Sequence, residues 1–175
     1  MELQEALEQR YSCRQFSAEE PTRDQIVAVL EAGRLAPTAC NAQSVRLFVA
    51  QGAEALAKID VATHCRYGAP VCVIVGYDTA VAPMHDPEKY NGTEFSFGDQ
   101  DATSVLLHMA LKATDLGLAT CWLGAIDDAA LHAEFGIPES VAIRAVLDLG
   151  FAGEKGGPSP KHTDRKPLEE TVTWL

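Results

Sequence analysis

The sequence predicts an α+β or α/β protein. Segments of helical period alternate or cluster with about four short apolar runs rich in β-branched residues. Apolar residues make up 47% of the 175-residue chain, enough for a sizeable core and too many for a disordered chain. No internal repeat, low-complexity stretch or clean linker divides it, so residues 1–175 are expected to form a single domain.

The elements follow in order. Leu3, Ala6 and Leu7 recur at helical spacing and predict a short helix over residues 2–9. The segment RYSCRQF reads as extended. Thr22 followed by Gln25 forms a capping box, and Ile26, Val29, Leu30 and Gly33 mark one face of a second helix that Pro37 ends. The loop APTACNAQS leads to a strand from Val45 to Ala50, a helix over 53–62, and a buried strand from Ala69 to Tyr77. Pro83, Pro87, Asn91 and Gly92 break all periodicity between Val81 and Gly98, which reads as an irregular insertion. The longest helix follows, capped by Asp99 or Asp101, with Ala102, Val105, Leu106, Met109, Ala113 and Leu116 on its apolar face and Gly117 as its stop. Leu118 to Ile126 predicts a strand. Asp127 or Asp128 caps a helix ending at Gly136, and Val141 to Phe151 is the last core strand. A Gly/Pro-rich loop and the segment LEETVTWL close the chain.

With 14 Lys+Arg against 25 Asp+Glu, the formal net charge is −11. Such a surface repels phosphate backbones and anionic lipid, which argues against nucleic-acid and membrane-surface partners while allowing a local pocket for one small anion. The five cysteines are odd in number and form no C-x-x-C pair. That speaks against a disulfide framework or zinc site and suits a reducing cytoplasm. Three glutamates in the first eight residues do not fit a signal peptide, and the longest apolar run, Ala69 to Val75, is far below the ~18 residues of a membrane span.

Three segments are candidates for chemistry. In an extended segment the period of two puts Arg10, Ser12 and Arg14 on one face, with Tyr11 between them, a donor set suited to a phosphate or similar anion. Solvation, or pairing with Glu19 and Glu20, accounts for the same arginines equally well. The tail holding Lys161, Arg165 and Lys166 concentrates positive charge and could close over that anion; it also reads as an ordinary solvated loop. Glycines flank the strand around Cys121 and Trp122, at Gly117 and Gly124, where either close backbone approach or a structural bend explains them. Cys121 sits in an apolar run without a neighbouring base and reads as an inert buried thiol. The histidines show no metal-ligand spacing, so no metal site is expected.

Taken in order, R-x-S-x-R-x-F, APTACNAQ, DLGLATCWLGAID, GIPESV…LDLGFA and RKPLEETVTWL resemble the nitroreductase family of FMN-dependent oxidoreductases over nearly the whole chain. The resemblance implies an α+β fold with a central, mostly antiparallel sheet flanked by helices. It also implies a domain-swapped homodimer with FMN at the subunit interface. By the same resemblance Arg10 and Ser12 bind the flavin phosphate, Arg14 lies beside N1 and O2 of the isoalloxazine, and Arg165 is a C-terminal phosphate ligand with Lys166 or Lys161 as a second. Leu123, Gly124 or Ala125 supplies the backbone N–H that meets flavin N5. Pro37, Thr38, Asn41 and Gln43 are implied contacts from the partner subunit. Where the family usually continues Asn-x-Gln-Pro-Trp, this chain has Asn41-Ala42-Gln43-Ser44-Val45.

The implied activity is reduction of nitroaromatic, quinone or related small acceptors by NADH or NADPH, in ping-pong turnover at one open flavin face. The chemistry is the flavin's, so no catalytic side chain is implied. The rival reading is an FMN-binding protein of the same fold that stores, senses or breaks down flavin.

Overall fold

In the computed structural model, residues 1–84 and 95–175 are described. Four strands, β1 (Val45–Gln51), β2 (Val71–Asp78), β3 (Ala119–Leu123) and β4 (Val141–Gly150), form one antiparallel sheet in the order β1-β2-β4-β3. The described helices are α1 (Leu3–Gln9), α2 (Arg23–Arg34), α3 (Ala53–Ala62), α4 (Phe97–Asp115) and α5 (Asp128–Phe135). The class is α+β, with the antiparallel sheet the resemblance implies.

Strand β2 is buried from Val71 to Tyr77, as its unbroken apolar run predicts, because helices cover both faces of the sheet. Side chains alternate between two cores. Val71, Val73 and Val75 meet Ile26 and Val29 of α2 and Val105, Leu106 and Met109 of α4. Cys72 and Ile74 face the other way, with Ile59 of α3 and Leu131 of α5. Opposite Val75 and Gly76, β4 carries one extra residue, Arg144, whose side chain turns outward to donate to the Tyr77 hydroxyl at 3.1 Å and to pair with Asp99.

Local signals act where they stand. Thr22 Oγ1 accepts from the Gln25 N–H at 3.2 Å, and the Gln25 side chain accepts from the Thr22 N–H at 2.9 Å, completing the capping box of α2. Asp127 caps α5, and Gly136 ends it with φ +62°.

Most strand ends shift by one or two residues, and two boundaries depart further from expectation. Helix α4 is capped by Ser96, whose Oγ accepts from the Gly98 N–H at 3.1 Å, and not by Asp99 or Asp101. Asp99 lies in the first turn and is taken by Arg144, while Asp101 is buried and accepts from the Ala39 N–H at 2.9 Å. Strand β3 stops at Leu123 instead of reaching Ile126, because the following backbone is captured by the end of α3. Ala125 O accepts from Thr63 Oγ1 at 2.9 Å, and the Asp127 N–H donates to Ala62 O at 2.8 Å. Of the Val81–Gly98 insertion, residues 85–94 lie outside the described residues; its two ends meet in a bridge between Met84 and Ser96.

Candidate functional site: an anion cleft beside strand β3

Helix α1 ends at Gln9, and the chain leaves it extended, with φ −60° and ψ 124° at Arg10. It then runs along the free edge of β3, where Ser12 bridges Thr120 in parallel and the Cys13 N–H donates to Thr120 O at 2.9 Å. Cys13 is fully buried and fixes the phase of the segment. The period of two then sends Arg10, Ser12 and Arg14 to the opposite face. They line a cleft of about 150 Å³ with Tyr11 and with Ser159, Lys161, His162 and Arg165 from the C-terminal segment. None of these eight residues is acidic. Hydroxyls, guanidiniums and an ammonium aimed at one small volume make a donor set for a phosphate.

The cations are available to a ligand. Among the described residues, Arg10, Arg14, Lys161 and Arg165 take part in no ion pair, and Glu20, one of the acids that could have neutralised them, accepts from Gln51 Nε2 at 2.8 Å. Lys166 does not line the cleft; its Nζ lies 3.4 Å from Glu170, one helical turn on. A second cavity, about 220 Å³, shares Arg10, Tyr11 and Ser12 with the cleft and continues along Thr120, Trp122 and Leu147.

Arg14 stands among polarisable groups. Hydrogen bonding with the Cys65 thiol and burial raise the Tyr67 hydroxyl pKa, and a hydrogen bond with Arg14 opposes them. Burial pushes the Cys121 thiol up to about 11, helped by Asp148 and opposed by Arg14. Cys121 is therefore a protonated core thiol near neutral pH, as its apolar surroundings predict.

Leu123 is buried at the end of β3, and Gly124 and Ala125 follow it exposed. A Cβ built on Gly124 would meet nothing within 4 Å, so no packing within the chain demands glycine there. The loop residues lie apart. Thr38 and Gln43 line a separate cavity of about 190 Å³ with Ala36, Val45, Leu47 and Val105, and it shares no lining residue with the anion cleft. Pro37 and Asn41 belong to the same loop, in which Cys40, Asn41 and Gln43 all have φ between 51° and 53°. Such left-handed non-glycine residues persist where surroundings over-determine them. Here Asp101 holds the Ala39 N–H, and Thr38 Oγ1 accepts from the Gln43 N–H at 3.2 Å. Ser44, where the resemblance leads one to expect proline, is fully buried just before β1, and its carbonyl accepts from the Asp78 N–H at 2.9 Å.

The structure therefore brings together Arg10, Tyr11, Ser12, Arg14, Lys161 and Arg165 from the sequence-derived set. It leaves Pro37, Thr38, Asn41 and Gln43 elsewhere on the same chain. Ser159 and His162 line the cleft and were not identified from sequence; the only local signal was their closeness to Lys161.

Known proteins share this fold. The sequence profile of the nitroreductase family matches residues 7–67 and 65–151. A curated relative from Methanothermobacter thermautotrophicus, named "Putative NADH dehydrogenase/NAD(P)H nitroreductase", is 30% identical over 166 residues, covering 90% of this chain and 81% of that protein. The crystal structure of a nitroreductase family protein from Clostridium difficile 630 superposes with a TM-score of 0.89 at 30% identity, covering 99% of this chain and 98% of that one. A structure from Desulfovibrio desulfuricans, described as a "putative nitroreductase in complex with FMN", reaches 0.81 at 25% identity, covering 100% and 97%. Profile, identity and superposition agree over nearly the full length, and the chain belongs to the nitroreductase family.

Proposed function

We propose that the protein is an FMN-dependent oxidoreductase that uses NADH or NADPH to reduce nitroaromatic, quinone or related small acceptors. The observation that carries this is the acid-free cleft, where Arg10, Ser12, Arg14, Lys161 and Arg165 converge in a chain of net charge −11. The relatives support it: one carries NAD(P)H nitroreductase in its name, and one was solved with FMN. The residues fit the cofactor. Arg10, Ser12, Lys161 and Arg165 would hold its phosphate, Arg14 would place a fixed positive charge beside the ring, and Leu123 to Ala125 would offer backbone N–H groups at a position with room for close approach. When bound, FMN supplies the hydride-transferring centre, so the chain contributes binding, orientation and charge. Nicotinamide and acceptor would occupy one open face in turn, which gives ping-pong kinetics.

In this reading residues 1–175 form one flavin-binding domain, and the working unit is a cytoplasmic homodimer with exchanged segments. The separation of the Thr38–Gln43 cavity from the anion cleft supports the exchange, since the loop of one copy would complete the site of the other. Among the described residues no helix is long and apolar enough to cross a membrane.

The test is direct. The purified protein should be yellow, release FMN on denaturation, bleach with NADH or NADPH under anaerobic conditions, and oxidise the nicotinamide against a panel of acceptors. A colourless protein that takes up no FMN overturns the assignment. A yellow protein that neither nicotinamide bleaches is a flavin-storing or flavin-sensing protein instead.

A further inference from the structure

We propose that His162 is the latch of the anion cleft, a positioning residue that holds the C-terminal segment so that Lys161 and Arg165 face Arg10 and Ser12. The inference rests on the FMN reading above.

Up to Gly156 the C-terminal segment is tied to the body. The Gly153 N–H donates to Gln15 O at 2.9 Å, the Lys155 N–H donates to Gln15 Oε1 at 2.7 Å, and Gly156 is buried. From residue 157 to 175 every residue is exposed except His162. Among the described residues, His162 also makes the one hydrogen bond from this stretch to the rest of the chain, from Nε2 to Glu8 O at 2.8 Å. The other side-chain bonds of the stretch turn inward: Arg165 donates to Asp164 O, Thr171 to Leu168 O, and Lys166 pairs with Glu170. The imidazole also meets the Tyr11 ring edge to face, with centroids 6.2 Å apart at 74°.

The acceptor explains why this contact matters. Glu8 lies in the last turn of α1, so its carbonyl is among those a helix end leaves without an internal partner. A carbonyl only accepts, so His162 Nε2 carries the hydrogen. The bond caps the helix from which Arg10 emerges, and its donor belongs to the segment that carries Lys161 and Arg165. One side chain thereby fixes both walls of the cleft relative to each other. Without it, two cations would have to be ordered by the ligand, and affinity falls when ordering is deferred to binding.

The test uses the full chain as wild type, His162→Gln and His162→Phe. Glutamine can place an N–H donor near the Nε2 position; phenylalanine keeps a ring against Tyr11 but cannot donate. Dissociation constants are measured for FMN and for riboflavin, which lacks the phosphate, together with the rate of tryptic cleavage after Lys161 and Arg165. We expect His162→Phe to weaken FMN by about tenfold or more, the worth of a lost hydrogen bond and its ordering, with riboflavin unchanged and cleavage faster. His162→Gln should stay close to wild type in all three. Equal FMN affinity in wild type and His162→Phe overturns the latch, as does an equal loss of FMN and riboflavin, which would mark a general packing role. Wild-type protein that binds no flavin overturns the cofactor reading instead. The cleavage rates then still decide the latch, and equal rates in wild type and His162→Phe reject it.

Discussion

Arg14 and Arg165 line the same cleft but would serve different parts of the ligand, and their variants should separate. Arg165 is exposed on a segment with few attachments, so Arg165→Ala removes a phosphate donor and little else. FMN should dissociate more readily, with added FMN restoring turnover, a change of ~1.5–3 kcal/mol for a charged hydrogen bond. Arg14 is set in the extended segment beside Tyr67 and Cys121. Arg14→Ala removes a fixed charge from the ring's neighbourhood, so the flavin midpoint potential should fall even with FMN saturating; a wild-type potential by spectroelectrochemical titration would refute that role. The Arg10, Ser12 and Arg14 face was legible in the sequence because a period of two needs only an extended segment, and buried Cys13 fixes its phase. His162 was not, because its role depends on a carbonyl 154 positions away. No local pattern encodes that return.

At the scale of elements, legibility followed the range of the controlling interaction. The α2 cap, the α5 stop and the buried run of β2 are set within a few residues and lie where the sequence places them. The end of β3 is set by the α3 terminus, distant in sequence, and there the local reading failed. Helix α4 starts on a local cap, Ser96, which lies in the stretch where periodicity breaks and is passed over for Asp99 or Asp101. Close packing of α2 on α4 depends on Gly33: a Cβ there would lie 2.8 Å from Met109 Cγ and 3.1 Å from Val105 Cγ1. Gly33→Val should cost about 1–3 kcal/mol by overpacking, read as a lowered denaturation midpoint. The sheet holds a second liability. Asp148 of β4 is fully buried, flanked in register by Cys72 of β2 and Cys121 of β3, and accepts from the Cys72 thiol at 3.3 Å. Burial raises its pKa to about 8, against the pull of the Cys72 hydrogen bond and of Arg66. The unfolded carboxyl titrates at about 3.9. Between those values the folded state keeps a proton that the unfolded state has released, so rising pH through the window favours unfolding. The contribution is complete below about 4 and lost by about 8. Asp148→Asn should flatten this fall, and urea titrations of both proteins from pH 5 to 8 would show it; parallel slopes would place the pH dependence elsewhere.

At the scale of the whole molecule, exposed apolar surface governs how copies of the chain associate. Leu168 and Trp174 are exposed, Trp174 by 88%, and so are Leu3 and Leu7 of α1, Leu107 of α4 and Trp122 of β3. A chain of net charge −11 repels its own copies at long range, so association has to come from short-range apolar burial and should strengthen with salt. If the site is shared, association and cofactor binding are one event. Each copy holds one anion cleft and one Thr38–Gln43 loop, lined by different residues. The interface should then exceed the ~2,000 Å² typical of obligate dimers, and apparent stability should rise with protein concentration. Truncation before Leu168 tests this cleanly, because it removes Leu168, Val172, Trp174 and Leu175 while leaving Lys161, His162 and Arg165 in place. A flavin site held by one chain would lose nothing. A shared site should lose dimer and FMN together, with the FMN deficit shrinking as protein concentration is raised. Light scattering with flavin absorbance measures both at once, and a wild-type monomer carrying FMN at micromolar concentration would overturn the shared site.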